Sequence, residues 1–112
     1  MPLYILGGRQ SGKTFALCCL AEKFNLTVVV PYFMRKKIIE KDFPKVKILT
    51  AQEMFSSKGE GKRFAIDEIL DCKHTLKALR IKQDRMIHID AVSGNPCDAH
   101  LIQKQVRKWH IE

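Results

Sequence analysis

Long apolar runs are missing from this chain. The stretch Leu26–Phe33 (LTVVVPYF) is far shorter than the roughly 20 residues that a bilayer-spanning helix requires. Nothing at the N-terminus has the layout of a secretory signal. Paired cysteines are missing too. Cys18, Cys19, Cys72 and Cys97 form no C-x-x-C pair, and the four histidines fall at no metal-ligand spacing. These absences exclude a zinc site, a disulfide framework and a membrane partner, and the expected compartment is a reducing one, the cytoplasm. Repeats and low-complexity tracts are absent as well. Acidic residues are scarce: 12 against 20 Lys and Arg, for a net charge of +8. That excess points towards a polyanionic partner such as nucleic acid, with a solvated basic surface as the alternative.

What is present suits one domain spanning 1–112. A chain of 112 residues, 46% of them hydrophobic, has enough material for a core without staples. Short apolar runs alternate with helical patterns, which predicts an α/β architecture with about five mostly parallel strands flanked by helices. Strands are expected at Leu3–Leu6, Leu26–Val30, Val46–Leu49, Arg63–Asp67 and Arg85–Val92. Leu26–Val30 is continuously apolar and largely β-branched, as befits a strand covered on both faces. Helical spacing is read at Gly12–Phe24, Phe33–Phe43 and Glu68–Ile81, with a shorter helix at AQEMF. Ser56–Lys62 reads as the one flexible segment. The last helix has a start signal: Asn95 as cap, Pro96 in the first position and Asp98 in the positive first turn. Cys18 and Cys19 fall inside the first long helix and read as small apolar residues.

Two motifs carry chemistry. The first is Gly7-x-x-x-x-Gly12-Lys13-Thr14, within Gly7-Gly8-Arg9-Gln10-Ser11-Gly12-Lys13-Thr14-Phe15, between a strand and a helix. Glycines let the backbone curl so that its N–H groups converge on phosphate oxygens, and the helix dipole adds positive potential there. Lys13 is expected on the β- and γ-phosphates and the Thr14 hydroxyl on Mg²⁺. The second motif is Arg63–Glu68 (RFAIDE). Its strand delivers Asp67 to the carboxyl edge of the sheet, where it can hold Mg²⁺ through water, and Glu68 follows, placed to deprotonate an attacking water. Together they predict hydrolysis of a nucleoside triphosphate, with ATP and Mg²⁺ as cofactors.

With these residues in view, the chain resembles the P-loop NTPases that carry a catalytic glutamate beside the Walker B aspartate. Gly7–Thr14 is similar to the Walker A loop of phage terminase large subunits, and the order of elements resembles the first motor domain of superfamily 1 and 2 helicases. There a strand ending in a proline-containing motif contacts nucleic acid, to which VVVPYFMRK is similar. Weaker likenesses lie in VKILTAQE and AVSGNP. The resemblance implies a single three-layer, RecA-like domain in a phage or mobile-element setting, hence host cytoplasm for a viral chain. It implies Lys13 and Thr14 on phosphate and Mg²⁺, Asp67 on Mg²⁺ and Glu68 as the catalytic carboxylate. Arg9 matches the terminase loop arginine. Ser93 or Asn95 would stand where a γ-phosphate sensor stands, with a turn and helix cap as the plainer reading.

The departures from the family set further expectations. Only Met1 and Pro2 precede the first strand, so base contacts are expected from elsewhere. A second motor domain and its arginine are missing. Arg80, Arg85 and Arg107 are available, unranked, and a second copy or a partner protein is expected to complete the site. In a helicase-like strand order, Leu3–Leu6 would lie at an open sheet edge. Nucleic-acid contacts are expected from Arg35, Lys36 and Lys37 on the helix Phe33–Phe43 and from Lys58 and Lys62 in the loop, with Tyr32 and Phe33 near for stacking. Two other function classes compete: a nucleotide-gated interaction module with little turnover, and a small nucleoside or nucleotide kinase. Thymidine kinases share a similar loop and an Ile-Asp-Glu strand, but they need a lid or zinc lasso.

Overall fold

The β-branched run Thr27–Val30 (β2) is buried along its whole length, and the sheet is built out from it. A computed structural model describes residues 1–111. The remaining strands are Leu3–Leu6 (β1), Ile48–Thr50 (β3), Arg63–Ile66 (β4) and His88–Gly94 (β5). The helices are Lys13–Phe24 (α1), Phe33–Asp42 (α2), Ala51–Met54 (α3), Ile69–Ala78 (α4) and Ala99–Trp109 (α5), with 3₁₀ turns at Ser57–Gly59 and Pro96–Asp98. The five strands are ordered β1-β5-β4-β2-β3 and every pairing is parallel. β1 is therefore an edge strand, as the helicase-like order led us to expect.

Alternation along the strands divides the core into two layers. Val28 and Val30 of β2, Ala65 of β4 and Ala91 of β5 face α1 and α2, packing with Leu17, Cys18, Ala21 and Ile39. Val29, Phe64, Ile66, Ile89 and Val92 face the other way, against Met54, Ile69, Leu76, Ile102 and Trp109 of α3, α4 and α5. Helices thus cover both faces, and the domain has three layers. A bulge interrupts the β4–β5 register, with Phe64 opposite Ile89 and Ala65 opposite Ala91. The skipped residue, Asp90, takes a bidentate pair from Arg63 at 2.6 and 2.7 Å.

Element ends differ from the sequence reading for local reasons. α4 stops at Ala78, not Ile81, because Arg80 turns left-handed (φ 57°) and the Ile81 N–H reaches back to Leu76 O at 2.9 Å. β5 runs on to Gly94 because β1 pairs with it through Leu6 opposite Gly94, and the Gly7 N–H adds a bond to Gly94 O at 3.0 Å. The Ser56–Lys62 stretch is not featureless. It forms a 3₁₀ turn with Gly59 pressed against the Met54 carbonyl, and Arg85 ties it down through Met54 O (2.8 Å) and Ser56 O (3.1 Å).

Glu53 organises the corner where β3 enters α3. Thr50 and Glu53 form a capping box: the Thr50 hydroxyl accepts the Glu53 N–H at 3.2 Å, and Glu53 Oε1 accepts the Thr50 N–H at 3.0 Å. Lys36 and Lys58 close on the same carboxylate at 3.2 and 3.1 Å. Partial burial opposes ionisation of Glu53, but the Thr50 N–H and the two lysines outweigh it and lower its pKa from 4.5 to about 2. A depressed carboxyl pKa stabilises the fold above the unfolded value and loses that effect as pH falls through the folded one. We expect Glu53→Gln to cost about 1 kcal/mol at pH 7. In urea titrations across pH, its deficit should shrink between the ordinary value of 4.5 and about 2.

Candidate functional site

The site forms where β1, β4 and β5 end on the same side of the sheet, the usual place for ligands in an open parallel sheet. β1 runs into the loop Gly7–Gly12, and α1 starts immediately after it. Gly12 takes a left-handed conformation (φ 80°) and so does Gln10 (φ 57°), which curls the loop back on itself. A side chain at Gly7 would meet the Ser11 hydroxyl, which would have to turn away. Within α1, the Ala16 N–H is the first to find a carbonyl, that of Gly12 at 2.9 Å. The N–H groups of Lys13, Thr14 and Phe15 precede it and have no partner carbonyl in the helix. They and the helix dipole make an anion cradle.

The second motif arrives by way of the sheet. Asp67 continues the β4 ladder, its N–H bonding to Val29 O at 2.8 Å. Glu68 then turns left-handed (φ 51°), a conformation that costs a non-glycine residue energy. Two bonds hold the turn: the Glu68 N–H donates to Ser93 Oγ at 3.0 Å, and the Glu68 carbonyl accepts the Cys72 N–H at 3.0 Å. The effect is to bury Asp67 completely while Glu68 stays at the cavity wall.

The buried Asp67 carboxylate is fully engaged. Thr14 Oγ1 donates to Oδ1 at 3.0 Å, and Ser93 Oγ donates to the same oxygen at 2.9 Å. Arg35 Nε donates to Oδ2 at 3.0 Å, and Arg35 Nη2 reaches Thr14 Oγ1 at 3.0 Å. Burial opposes the charge on Arg35, but the Asp67 charge and hydrogen bond outweigh it and hold the guanidinium pKa above its ordinary value. Lys13 Nζ lies 2.8 Å from Glu68 Oε1 and donates to Gly7 O (2.9 Å) and Gly8 O (3.1 Å). Cys72 Sγ donates to Asp67 O at 3.3 Å. Burial first, then the Asp67 charge, raises the Cys72 thiol well above its usual range and pushes Cys18 up to about 12, so both remain thiols.

Beside this network lies a polar cavity of about 720 Å³, open to solvent, whose walls include Arg9–Thr14, Tyr32, Arg35, Glu68 and Asn95. Among the described residues no three His, Cys, Asp or Glu side chains cluster as a self-sufficient metal centre. Mg²⁺ does not need one. It is held typically by one or two protein oxygens, with phosphate oxygens and waters completing the shell. The Thr14 hydroxyl and Asp67 carboxylate, 3.0 Å apart, are such a hard-oxygen pair, so the residues fit the ion. The Arg35 guanidinium bridges the Thr14 hydroxyl and the other Asp67 oxygen, Oδ2, and would have to withdraw from them.

The structure brings together Gly7–Thr14, Asp67 and Glu68 as the sequence led us to expect, and it relocates several other residues. Ser93 does not line the cavity. Its hydroxyl hydrogen is used on Asp67 and it accepts the Glu68 N–H, so it positions the motif from behind. Asn95 does line the cavity, with Oδ1 capping the Pro96–Asp98 turn through the Cys97 N–H at 2.9 Å. Phe15 faces a neighbouring groove rather than the polar cavity. Arg35, expected on nucleic acid, lies on the cavity wall and pairs with Asp67. Lys36 and Lys58 turn to Glu53, and Lys37 lies 5.2 Å over the Phe33 ring. Lys62 closes the 3₁₀ segment, away from the cavity. Of the arginines left unranked, Arg80, Arg85 and Arg107 all lie off the cavity, whose arginines are Arg9 and Arg35. Asp71 and Asp98 also line it, which no sequence signal indicated.

Compared with models of known protein families, with curated proteins and with solved structures, the chain matches none. Among the described residues no helix is long and apolar enough to cross a membrane.

Ser93→Ala tests the buried network. It removes one Asp67 donor and strands the Glu68 N–H, so we expect a loss of about 1–3 kcal/mol in urea unfolding. A change within experimental error would show that the Glu68 turn holds itself.

Proposed function

We propose that this chain is a P-loop domain that binds a nucleoside triphosphate with Mg²⁺, ATP being the leading candidate, and hydrolyses it. The observation that carries the reading is the 3.0 Å bond from the Thr14 hydroxyl to the Asp67 carboxylate. It joins two motifs far apart in sequence at the edge of one cavity, with Lys13 and Glu68 beside them.

The residues divide the work as follows. The free N–H groups at the start of α1 and the loop bind phosphate oxygens. An arriving phosphate competes with Glu68 for the Lys13 ammonium. As Lys13 turns to the phosphate, Glu68 is left as an unpaired carboxylate, able to accept a proton from the attacking water. Thr14 and Asp67 would hold Mg²⁺, which when bound neutralises phosphate charge. Arg35 withdraws from them, and Arg9 in the loop is placed to meet the phosphates. Asp71 and Asp98, on the cavity lining, give a complementary surface for a basic side chain from a second copy or a partner protein. The net charge of +8 and the exposed Lys37 support nucleic acid as the polymer that this turnover serves.

A second reading, a nucleotide-gated interaction module with little turnover, is favoured by one specific feature. In this conformation Glu68 is bound to Lys13 at 2.8 Å and Asp67 to Arg35 at 3.0 Å, so both acidic groups are already satisfied.

Phosphate release from ATP, measured alone and with single- or double-stranded DNA, separates the two. We expect turnover that rises with DNA, that Lys13→Ala abolishes together with nucleotide binding, and that Glu68→Gln slows by about 100-fold or more while binding persists. Turnover unchanged in Glu68→Gln would remove the catalytic assignment. ATP binding with no turnover under any condition would select the second reading.

Arg35 gives a test that needs no turnover. Without Mg²⁺, Arg35→Gln should cost about 1–2 kcal/mol, a buried-pair loss discounted for the partly exposed guanidinium. Added Mg²⁺ should then raise the melting temperature of the variant more than that of the parent. Equal responses to Mg²⁺ would show that Arg35 and the ion do not share a position.

A further inference from the structure

A second cavity, of about 540 Å³ and largely apolar, adjoins the polar one and shares Thr14, Tyr32 and Arg35 with it. Its walls come from the first turn of α1 and the length of α2. Phe15, Tyr32, Met34 and Ile38 line it, yet they are 64%, 51%, 67% and 63% exposed. Met34 and Ile38 are one helical turn apart and share a face of α2. Phe15 packs against Phe43, which also lines the groove, the ring centroids 5.4 Å apart and inclined at 60°. Large apolar side chains left open together beside a polar site mark a surface that something covers.

We infer that this groove is the base subsite of the nucleotide, an inference that rests on the phosphate-binding reading above. Continuity identifies the occupant. The loop and the start of α1 offer phosphate-binding N–H groups in sequence up to Phe15, and the groove begins at Thr14 and Phe15. A group attached to the far end of a phosphate chain lying on those N–H donors enters the groove directly. The volume lies within the range of about 300–1,000 Å³ typical of small-molecule sites. The lining suits a flat, uncharged ring, with an aromatic face from Phe15 and aliphatic and thioether contacts from α2. Asp42, also on the lining, would repel a second phosphate group. That fixes the direction of the ligand: phosphates on the loop, base towards α2. No contact from a segment before β1 is required.

Calorimetric titration with MgATP, MgGTP and Mg²⁺ tripolyphosphate tests this, because tripolyphosphate carries the charge without the base. At least one nucleotide should bind about fivefold or more tightly than tripolyphosphate, the lower end of what one stacked base contributes. Ile38→Glu and Phe15→Ala, both at exposed positions, should each bring that nucleotide down towards the tripolyphosphate level. Circular dichroism of both variants establishes that they are folded, and two substitutions on different helices guard against failure of either. If tripolyphosphate binds as tightly as both nucleotides, the base subsite is refuted and the phosphate site stands. If the nucleotide advantage survives both variants, the base lies elsewhere, and a partner protein or second copy is left as the occupant of the groove. If none of the three ligands binds, the phosphate-binding reading itself fails.

Discussion

A carboxylate with no exposure to water governs this molecule. Asp67 lies at the end of β4, and burying its charge is tolerable only because donors surround it. Those donors come from three separate places: Thr14 at the start of α1, Ser93 near the end of β5 and Arg35 on α2. Satisfying one charge therefore fixes the relative placement of the start of α1, the sheet edge and the second helix. The same network turns Glu68 outward, since Ser93 both holds Asp67 and accepts the Glu68 N–H. A buried ion pair of this kind contributes little net stability compared with apolar packing. Its value lies in geometry: it keeps the glycine-rich loop Gly7–Gly12 and a pair of carboxylates in one arrangement.

The strand order explains how the two motifs meet. β5 is inserted between β1 and β4, so the loop after β1 and the acidic pair after β4 are separated by the width of one strand. That strand ends in Ser93 and Gly94, a small hydroxyl residue and a glycine. Ser93 bridges to Asp67, and Gly94 lets Ile102 of α5 approach where a side chain would collide with it. Both cavities lie on the same rim of the sheet, one polar and one apolar, with Thr14, Tyr32 and Arg35 as the shared wall. A ligand with a charged end and a flat apolar end matches that division.

Much of this was legible in the sequence because it is local. The glycines, Lys13 and Thr14 act within one turn of chain, and a strand followed by Asp-Glu declares its own geometry. The alternation of strands and helices sufficed for a mostly parallel sheet, and the edge position of β1 came from the helicase-like strand order. Arg35 shows where sequence reading stops. In the run Arg35-Lys36-Lys37, composition shows only a basic helix. Successive residues on a helix point about 100° apart, so the three go to different places: Arg35 to Asp67, Lys36 to Glu53, Lys37 over Phe33. Which one enters the site depends on how α2 rotates against the sheet, and Ile39 packing into the core sets that. Ser93 is a similar case. A hydroxyl at the end of a strand reads equally as a ligand contact or a support, and only its neighbours decide.

A crystal structure with Mg²⁺ and a non-hydrolysable ATP analogue tests the central claim most directly. The account predicts phosphates on the N–H groups of the loop and the first turn of α1. It predicts Lys13 moved from Glu68 to a phosphate oxygen, and Arg35 withdrawn from Thr14 and Asp67 with Mg²⁺ between them. A nucleotide bound elsewhere, or one bound with the Lys13–Glu68 and Arg35–Asp67 pairs both intact, would contradict it.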